Sequence, residues 1–217
     1  MSDFAEARRV MVDTQVRPSD ITLFPIIEAM LSIPREEFVP SAMRSTAYLG
    51  EHIPIGPDRV ILDPRTLAKL LETADIQPTH LVLDLGAGHG YSTAVIAHLA
   101  EAVVAVEPDE ALAREAESAL AEAGIDNAAV ECAELVDGAP AHAPYDVIVV
   151  QGGVQVVPDA IIAQLREGGR IVCLFIEGHL GTCRLGIKVD GRMNWRYAFN
   201  GDAPVLPGFA KVPEFSL

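Results

Sequence analysis

Lysine is nearly missing from this chain. Only Lys69, Lys188 and Lys211 occur among 16 basic residues, against 31 acidic ones, for a formal net charge of −15. Nucleic-acid affinity comes largely from neutralising phosphates, so a chain with no polybasic patch is not expected to have a nucleic-acid partner. Cysteine is also scarce. Cys132, Cys173 and Cys183 form no Cys-x-x-Cys pair, and two of them sit inside apolar strand-like runs. That pattern predicts buried free thiols in a reducing compartment rather than a disulfide framework. The six histidines (52, 80, 89, 98, 142, 179) lack metal-ligand spacing, so no metal is expected. No run approaches the ~18 unbroken apolar residues of a membrane span. The acidic start Met1-Ser2-Asp3-Phe4-Ala5-Glu6 has no signal-peptide pattern. A cytoplasmic protein without a membrane partner is the expectation, and neither an internal repeat nor a low-complexity segment is present.

What is there is a chain of 217 residues, half of them apolar, enough for one α/β domain with a sizeable core. Residues 1–50 read as helical. Phe4, Ala7, Val10, Met11 and Thr14 share a face, and Arg17-Pro18-Ser19-Asp20 breaks that helix. Thr22 is the expected N-cap of the next one, and Ser41 of a short helix to about Leu49. Residues 51–64 have two proline–glycine breaks and no helical period, which predicts a loop with an extended end. Asp63-Pro64 then opens a helix over 65–74. From His80 strands and helices alternate: strands at 81–84, 102–106, 128–131, 145–150 and 170–175, with helices at 91–100, 110–122 and 158–166. This alternation predicts a doubly wound parallel sheet. Two last strand-like runs, 182–189 and 193–199, are joined by Asp190-Gly191, a hairpin signal.

The chain is organised around Leu81-Val82-Leu83-Asp84-Leu85-Gly86-Ala87-Gly88-His89-Gly90-Tyr91, a buried strand, a glycine turn and the start of a helix. Glycines there let a ligand approach the backbone, and the helix aims its free N–H groups at the same space. A dinucleotide site wants Gly-x-Gly-x-x-Gly, whereas this turn is Gly-x-Gly-x-Gly with Tyr91 at the third position. Asp84, two residues before Gly86, suits a ligand bearing an ammonium group and would repel a pyrophosphate. Glu107, at the tip of the next strand, is placed to accept from a ribose hydroxyl pair. Ribose plus ammonium without phosphate describes S-adenosylmethionine, and a parallel sheet finishing in a hairpin suits a methyltransferase. On this reading the cofactor is held by Asp84, Gly86, Ala87, Gly88, Tyr91, Glu107, Glu134 with Leu135, and Gln151; the acceptor approaches near Gln151-Gly152-Gly153.

The chain resembles the protein-L-isoaspartate O-methyltransferase family over most of its length. The matching pieces include Met11-Val12-x-x-Gln15-Val16-Arg17, Ile33-Pro34-Arg35-Glu36-x-Phe38-Val39-Pro40, Pro54-Ile55-Gly56, Val82 through Tyr91, Ala143-Pro144-Tyr145-Asp146 and Gln164 through Arg170. The resemblance implies a class I methyltransferase, Rossmann-like, with a helical N-terminal cap and a C-terminal β-hairpin. It also implies methyl transfer from S-adenosyl-L-methionine to the α-carboxylate of isoaspartyl residues in a protein or peptide, the first step of repair. Residues 1–64 would be the cap and substrate loop, and 65–217 the methyltransferase domain. The family serine before the proline is replaced by Leu62, the residue after it is Arg65, and Gly-Asp-Gly after the third strand becomes Ala133-Glu134-Leu135. No catalytic side chain is therefore assigned; Asp63 and Gln151 are the candidates beside Leu62. Methylation of another acceptor, or cofactor binding without turnover, stays open on these residues.

Overall fold

Strands rich in valine, leucine and isoleucine are apolar on both faces, and such strands are stable only when helices cover both sides. The computed structural model describes residues 3–211 and has that arrangement. Seven strands form one sheet: β3 (Leu81–Leu85), β4 (Ala102–Val106), β5 (Ala128–Glu131), β6 (Tyr145–Val154), β7 (Leu165–Glu177), β8 (Leu180–Val189) and β9 (Arg192–Asn200). The order is β5-β4-β3-β6-β7-β8-β9; the first five are parallel, and β8 and β9 each pair antiparallel to the strand before them. The chain direction across the sheet reverses between β3 and β6, which opens a crevice at their carboxyl ends. Helices α3 (Pro64–Ala74), α4 (Tyr91–Ala97), α5 (Glu110–Glu122) and α6 (Asp159–Ala163) connect these strands or precede them. Asp63 caps α3 by accepting from the Thr66 N–H at 3.0 Å, and Asp109 caps α5, both as expected. Asp190 and Gly191 have φ of 51° and 71°, the double positive φ of a tight hairpin turn.

The N-terminal helices, α1 (Phe4–Met11) and α2 (Phe24–Ser32), pack into one apolar cluster with α3, α4 and one face of the sheet. Three expectations are corrected here. Thr22 is not an N-cap: its N–H and hydroxyl both donate to the Glu72 carboxylate of α3, which leaves its oxygen facing away from α2. Ser41 caps nothing, and residues 41–46 form a 3-10 turn that opens after Pro40. Residues 51–64 are not a loop. They hold an antiparallel hairpin of β1 (Ile53–Gly56) and β2 (Arg59–Ile61), turned at Asp58 with φ 53°.

Two further strands run longer than their sequence pattern suggests. Gln151-Gly152-Gly153 lie inside β6 rather than beyond it. A Cβ at Gly153 would stand 2.6 Å from the Ala203 carbonyl, and one at Gly152 as near Leu206. Glycine lets residues 203–206 lie along the strand, where Gly153 N–H donates to the Pro204 carbonyl at 2.8 Å and Leu206 N–H to Gly153 at 2.9 Å. Likewise α6 ends at Ala163, short of the expected 166, because Leu165 already pairs with Tyr145.

The cysteines divide as the sequence implies. Cys173 and Cys183 are fully buried on β7 and β8, and burial pushes the Cys183 thiol up to about 12 and Cys173 well above its ordinary value. Cys132 is exposed beyond β5. Since the thiolate is the reactive species, a thiol titration of the native protein is expected to label Cys132 alone. Labelling of Cys173 or Cys183 without denaturant would contradict this burial.

Candidate active site

The carboxyl ends of β3, β4 and β6 meet at the crevice. Gly86 and Gly88 have φ of 89° and 56°, a backbone open to glycine and strained for other residues. The Gly86 and Ala87 N–H groups donate to the Val106 carbonyl at 2.9 and 3.2 Å, so the turn is fastened to the end of β4 and Glu107 follows beside it.

Glu107 has no exposed side-chain surface. Its Oε2 accepts from the Gly88 N–H at 2.7 Å and its Oε1 from the Asp109 N–H at 3.1 Å. Its remaining partner is Arg59 of β2, which donates through Nη1 to Oε1 at 3.1 Å and through Nη2 to Oε2 at 2.5 Å. The Arg59 side chain is 8% exposed, and its Nε is buried without a partner. Nη2 lies 3.8 Å from the point where a Gly86 Cβ would stand, and Ile55 Cδ1 of β1 comes within 2.7 Å of that point on Gly88. The β1–β2 hairpin thus lies on the glycine turn and fills its cradle.

Asp84 is equally buried. Its Oδ2 accepts from the hydroxyls of Ser92 (2.7 Å) and Thr93 (2.8 Å) in the first turn of α4, and its Oδ1 from Gln151 Nε2 at 2.7 Å. Burial holds its carboxyl above the ordinary carboxylate range, opposed by these three donors. The acid therefore ties α4 to β6 from within the turn, a positioning arrangement, with no exposed surface of its own.

Between the hairpin and the turn lies a cavity of about 10 Å³ lined by Leu62, Leu67, Gly86, Tyr91 and Gln151. That is room for a single water at most. Tyr91 is 1% exposed, with the Arg35 guanidinium 4.6 Å above its ring and the Phe38 ring tilted against it at 6.3 Å. Arg35 donates in turn to the carbonyls of Ala47 (2.7 Å) and Leu62 (2.8 Å). The N-terminal block thereby fixes the end of β2. Asp63 turns away from the cavity as the cap of α3, and its N–H donates to His52 Nδ1 at 2.9 Å.

Of the residues picked out by sequence, Asp84, Gly86, Ala87, Gly88, Glu107 and Gln151 come together. The Glu134 side chain is exposed, Leu135 is packed in the second core cluster at 2% exposure, and Tyr91 packs against the N-terminal cap. Three residues carry weight that the pattern did not reveal: Ser92, Thr93 and Arg59. The first two had a signal, being hydroxyl residues at the mouth of a helix that follows a buried acid. Arg59 had none, because its partner is 48 residues away.

A buried pair that loses one member leaves the other charge uncompensated, at about 3–5 kcal/mol. Glu107→Ala is therefore expected to lower unfolding free energy in urea by at least about that amount, and adding Arg59→Met is expected to recover the part due to the stranded arginine, but not the part due to the Gly88 and Asp109 N–H groups. Simple additivity of the two changes would mean the pair contributes nothing.

Comparison with known proteins bears on what such a crevice holds. The family model for protein-L-isoaspartate(D-aspartate) O-methyltransferase matches residues 10–180. Protein-L-isoaspartate O-methyltransferase 2 of Marinobacter nauticus is 39% identical over 170 residues, 78% of each chain. The corresponding enzyme of a Roseiflexus species is 37% identical over 189 residues, 87% of this chain and 86% of that one. Among solved structures, a protein-L-isoaspartate O-methyltransferase superimposes with a TM-score of 0.78 at 25% identity, over 94% of this chain and 65% of that one. A Plasmodium falciparum structure assigned to the same activity, in complex with S-adenosyl-L-homocysteine, also gives 0.78, at 16% identity over 95% and 99% of the two chains, which speaks for the fold. On a family match over more than half its length and relatives of this identity, the chain belongs to the protein-L-isoaspartate(D-aspartate) O-methyltransferase family.

Proposed function

We propose that the protein uses S-adenosyl-L-methionine to methylate the α-carboxylate of isoaspartyl residues in proteins or peptides. The observation that carries this reading is the buried acid–glycine–acid cluster of Asp84, Gly86, Gly88 and Glu107 at the sheet's reversal point, in a chain of this family. The donor set fits the nucleoside. Glu107 offers two carboxylate oxygens already oriented by the backbone N–H groups of Gly88 and Asp109, which suits a ribose hydroxyl pair. The glycine turn has no Cβ at Gly86 and Gly88 to exclude a ligand once the hairpin lifts. Ala87, Gln151, and Glu134 with Leu135 at the β5 tip complete the proposed contacts. Tyr91 acts from behind, as part of the wall.

When bound, the cofactor would supply an electrophilic methyl group to the acceptor's carboxylate oxygen, with its own sulfur as the leaving group, and that chemistry would require no proton transfer. The chain's own residues then have two tasks, alignment and exclusion of water. Asp84 aligns, holding Gln151 and the start of α4 in one network. Exclusion of water falls to the apolar wall of Val60, Ile61, Leu62 and Leu67. An anion and a cation neutralise each other in this reaction, and their interaction is stronger in low dielectric. Leu62 in place of the family serine is compatible with that chemistry.

In this scheme residues 1–64 form the acceptor side and 65–217 the cofactor side. A polar cleft of about 350 Å³ beside Asp63, Arg65, Gln15 and Asp202 supports a peptide acceptor, because the Gln15 side-chain oxygen is buried there without a donor. Incubation with methyl-labelled cofactor and an isoaspartyl peptide is expected to give base-labile carboxyl methylation, with the matching aspartyl peptide unlabelled. Equal labelling of both peptides, or of neither, would remove isoaspartate as the acceptor.

A further inference from the structure

Arg59 raises a problem that the reading above leaves unsolved. It occupies both oxygens of the carboxylate to which the ribose is assigned, and it does so inside the site, beside Gly86. A nucleoside that claims Glu107 displaces a guanidinium that is always charged and has little access to water. A buried cation stripped of its anion is strongly unfavourable, so Arg59 must either leave the site or find another anion there. The ligands bring one. A methyl donor of this type ends in an amino-acid carboxylate, and an isoaspartyl acceptor presents its own.

Among the described residues Arg59 is the cation seated on the glycine turn, and the two other arginines nearby are placed differently. Arg35 donates through Nε and Nη2 to the carbonyls of Ala47 and Leu62 and is stacked on Tyr91, with its Nη1 buried and unpartnered on the N-terminal cap side of the cavity wall. The Leu62 side chain, where the family carries a hydroxyl, cannot donate, and Arg65 lines the polar cleft rather than the cavity at the glycine turn. Arg59 is also on a short two-stranded hairpin that pairs with no third strand among the described residues, so its strands are held by side-chain packing and by Arg35 rather than by the main sheet. Its Nε, buried and without a partner, gives the guanidinium a donor edge not used by Glu107.

We propose that Arg59 is a transferable carboxylate anchor: Glu107 holds it while the hairpin is closed, and a ligand carboxylate takes it over when the ribose claims Glu107. The inference rests on the cofactor assignment above. It makes Arg59 a specificity-determining residue for an anionic ligand end, in place of the missing serine.

Calorimetry with two probes separates the parts. S-adenosylhomocysteine and 5′-methylthioadenosine share ribose and thioether, but only the first has a carboxylate. Arg59→Gln frees Glu107 and is expected to bind methylthioadenosine about tenfold more tightly than wild type, while losing the carboxylate preference by about 10- to 100-fold in one of two comparisons. Loss of the preference for S-adenosylhomocysteine over methylthioadenosine assigns Arg59 to the cofactor's carboxylate. Loss of the preference for an isoaspartyl peptide over its α-amide, measured on protein loaded with S-adenosylhomocysteine, assigns it to the acceptor. Arg59→Lys, which keeps the charge, is expected to retain part of the preference and guards against a variant that merely unfolds. If Arg59→Gln leaves both preferences intact, or weakens methylthioadenosine binding, Arg59 is a structural partner of Glu107 and the inference fails. Wild-type protein that binds neither adenosyl compound overturns the cofactor assignment itself, and this inference with it.

Discussion

One carboxylate with no exposed surface ties together four separate pieces of chain. Glu107 ends β4, accepts from the glycine turn after β3, accepts from the backbone at the start of α5, and is paired with the hairpin that precedes α3. Each partner is a donor whose burial would be unfavourable without it. The turn and the helix start contribute backbone N–H groups, so this contact survives a change of side chain at Gly88 or Asp109 better than a side-chain pair would. The arginine is the one side-chain donor of the set, and it comes from outside the seven-stranded sheet.

The same logic separates the two acids of the site. Asp84 is enclosed by side-chain donors from α4 and β6, which have nowhere else to go, so it serves as an internal fastening. Glu107 is paired instead with a guanidinium from the separate two-stranded hairpin. Two carboxylates at neighbouring strand tips, alike on paper, therefore differ in what they can offer a ligand.

The sheet was largely legible in the sequence because its signals are local: β4 and β5 lie where their apolar runs predict, and Asp63, Asp109 and Asp190-Gly191 mark helix starts and a turn by their own side chains and φ angles. The errors fell where a distant residue decides the local form. Thr22 reads as a cap until Glu72 takes both its donors. Gly152 and Gly153 read as a turn until residues 203–206 lie against them. The hairpin over 53–61 reads as a loop because three paired residues interrupted by proline have no visible period. The site followed the same rule: Asp84 and Glu107 stand out by their place after apolar runs, whereas Arg59 acquires meaning only through its ion pair.

The strap formed by residues 203–206 has a consequence for how the site comes into being. It runs beside β6 and sets Leu206 against Gly152, one residue from the Gln151 that holds Asp84. The crevice floor is therefore finished by a segment that leaves the ribosome some fifty residues after the strand it braces. A nascent chain has its glycine turn and both acids long before it has this brace, and such long-range contacts are slow to form. Competence to hold a ligand arrives with completion of the whole sheet, so a partly made or clipped chain has the motif without the site.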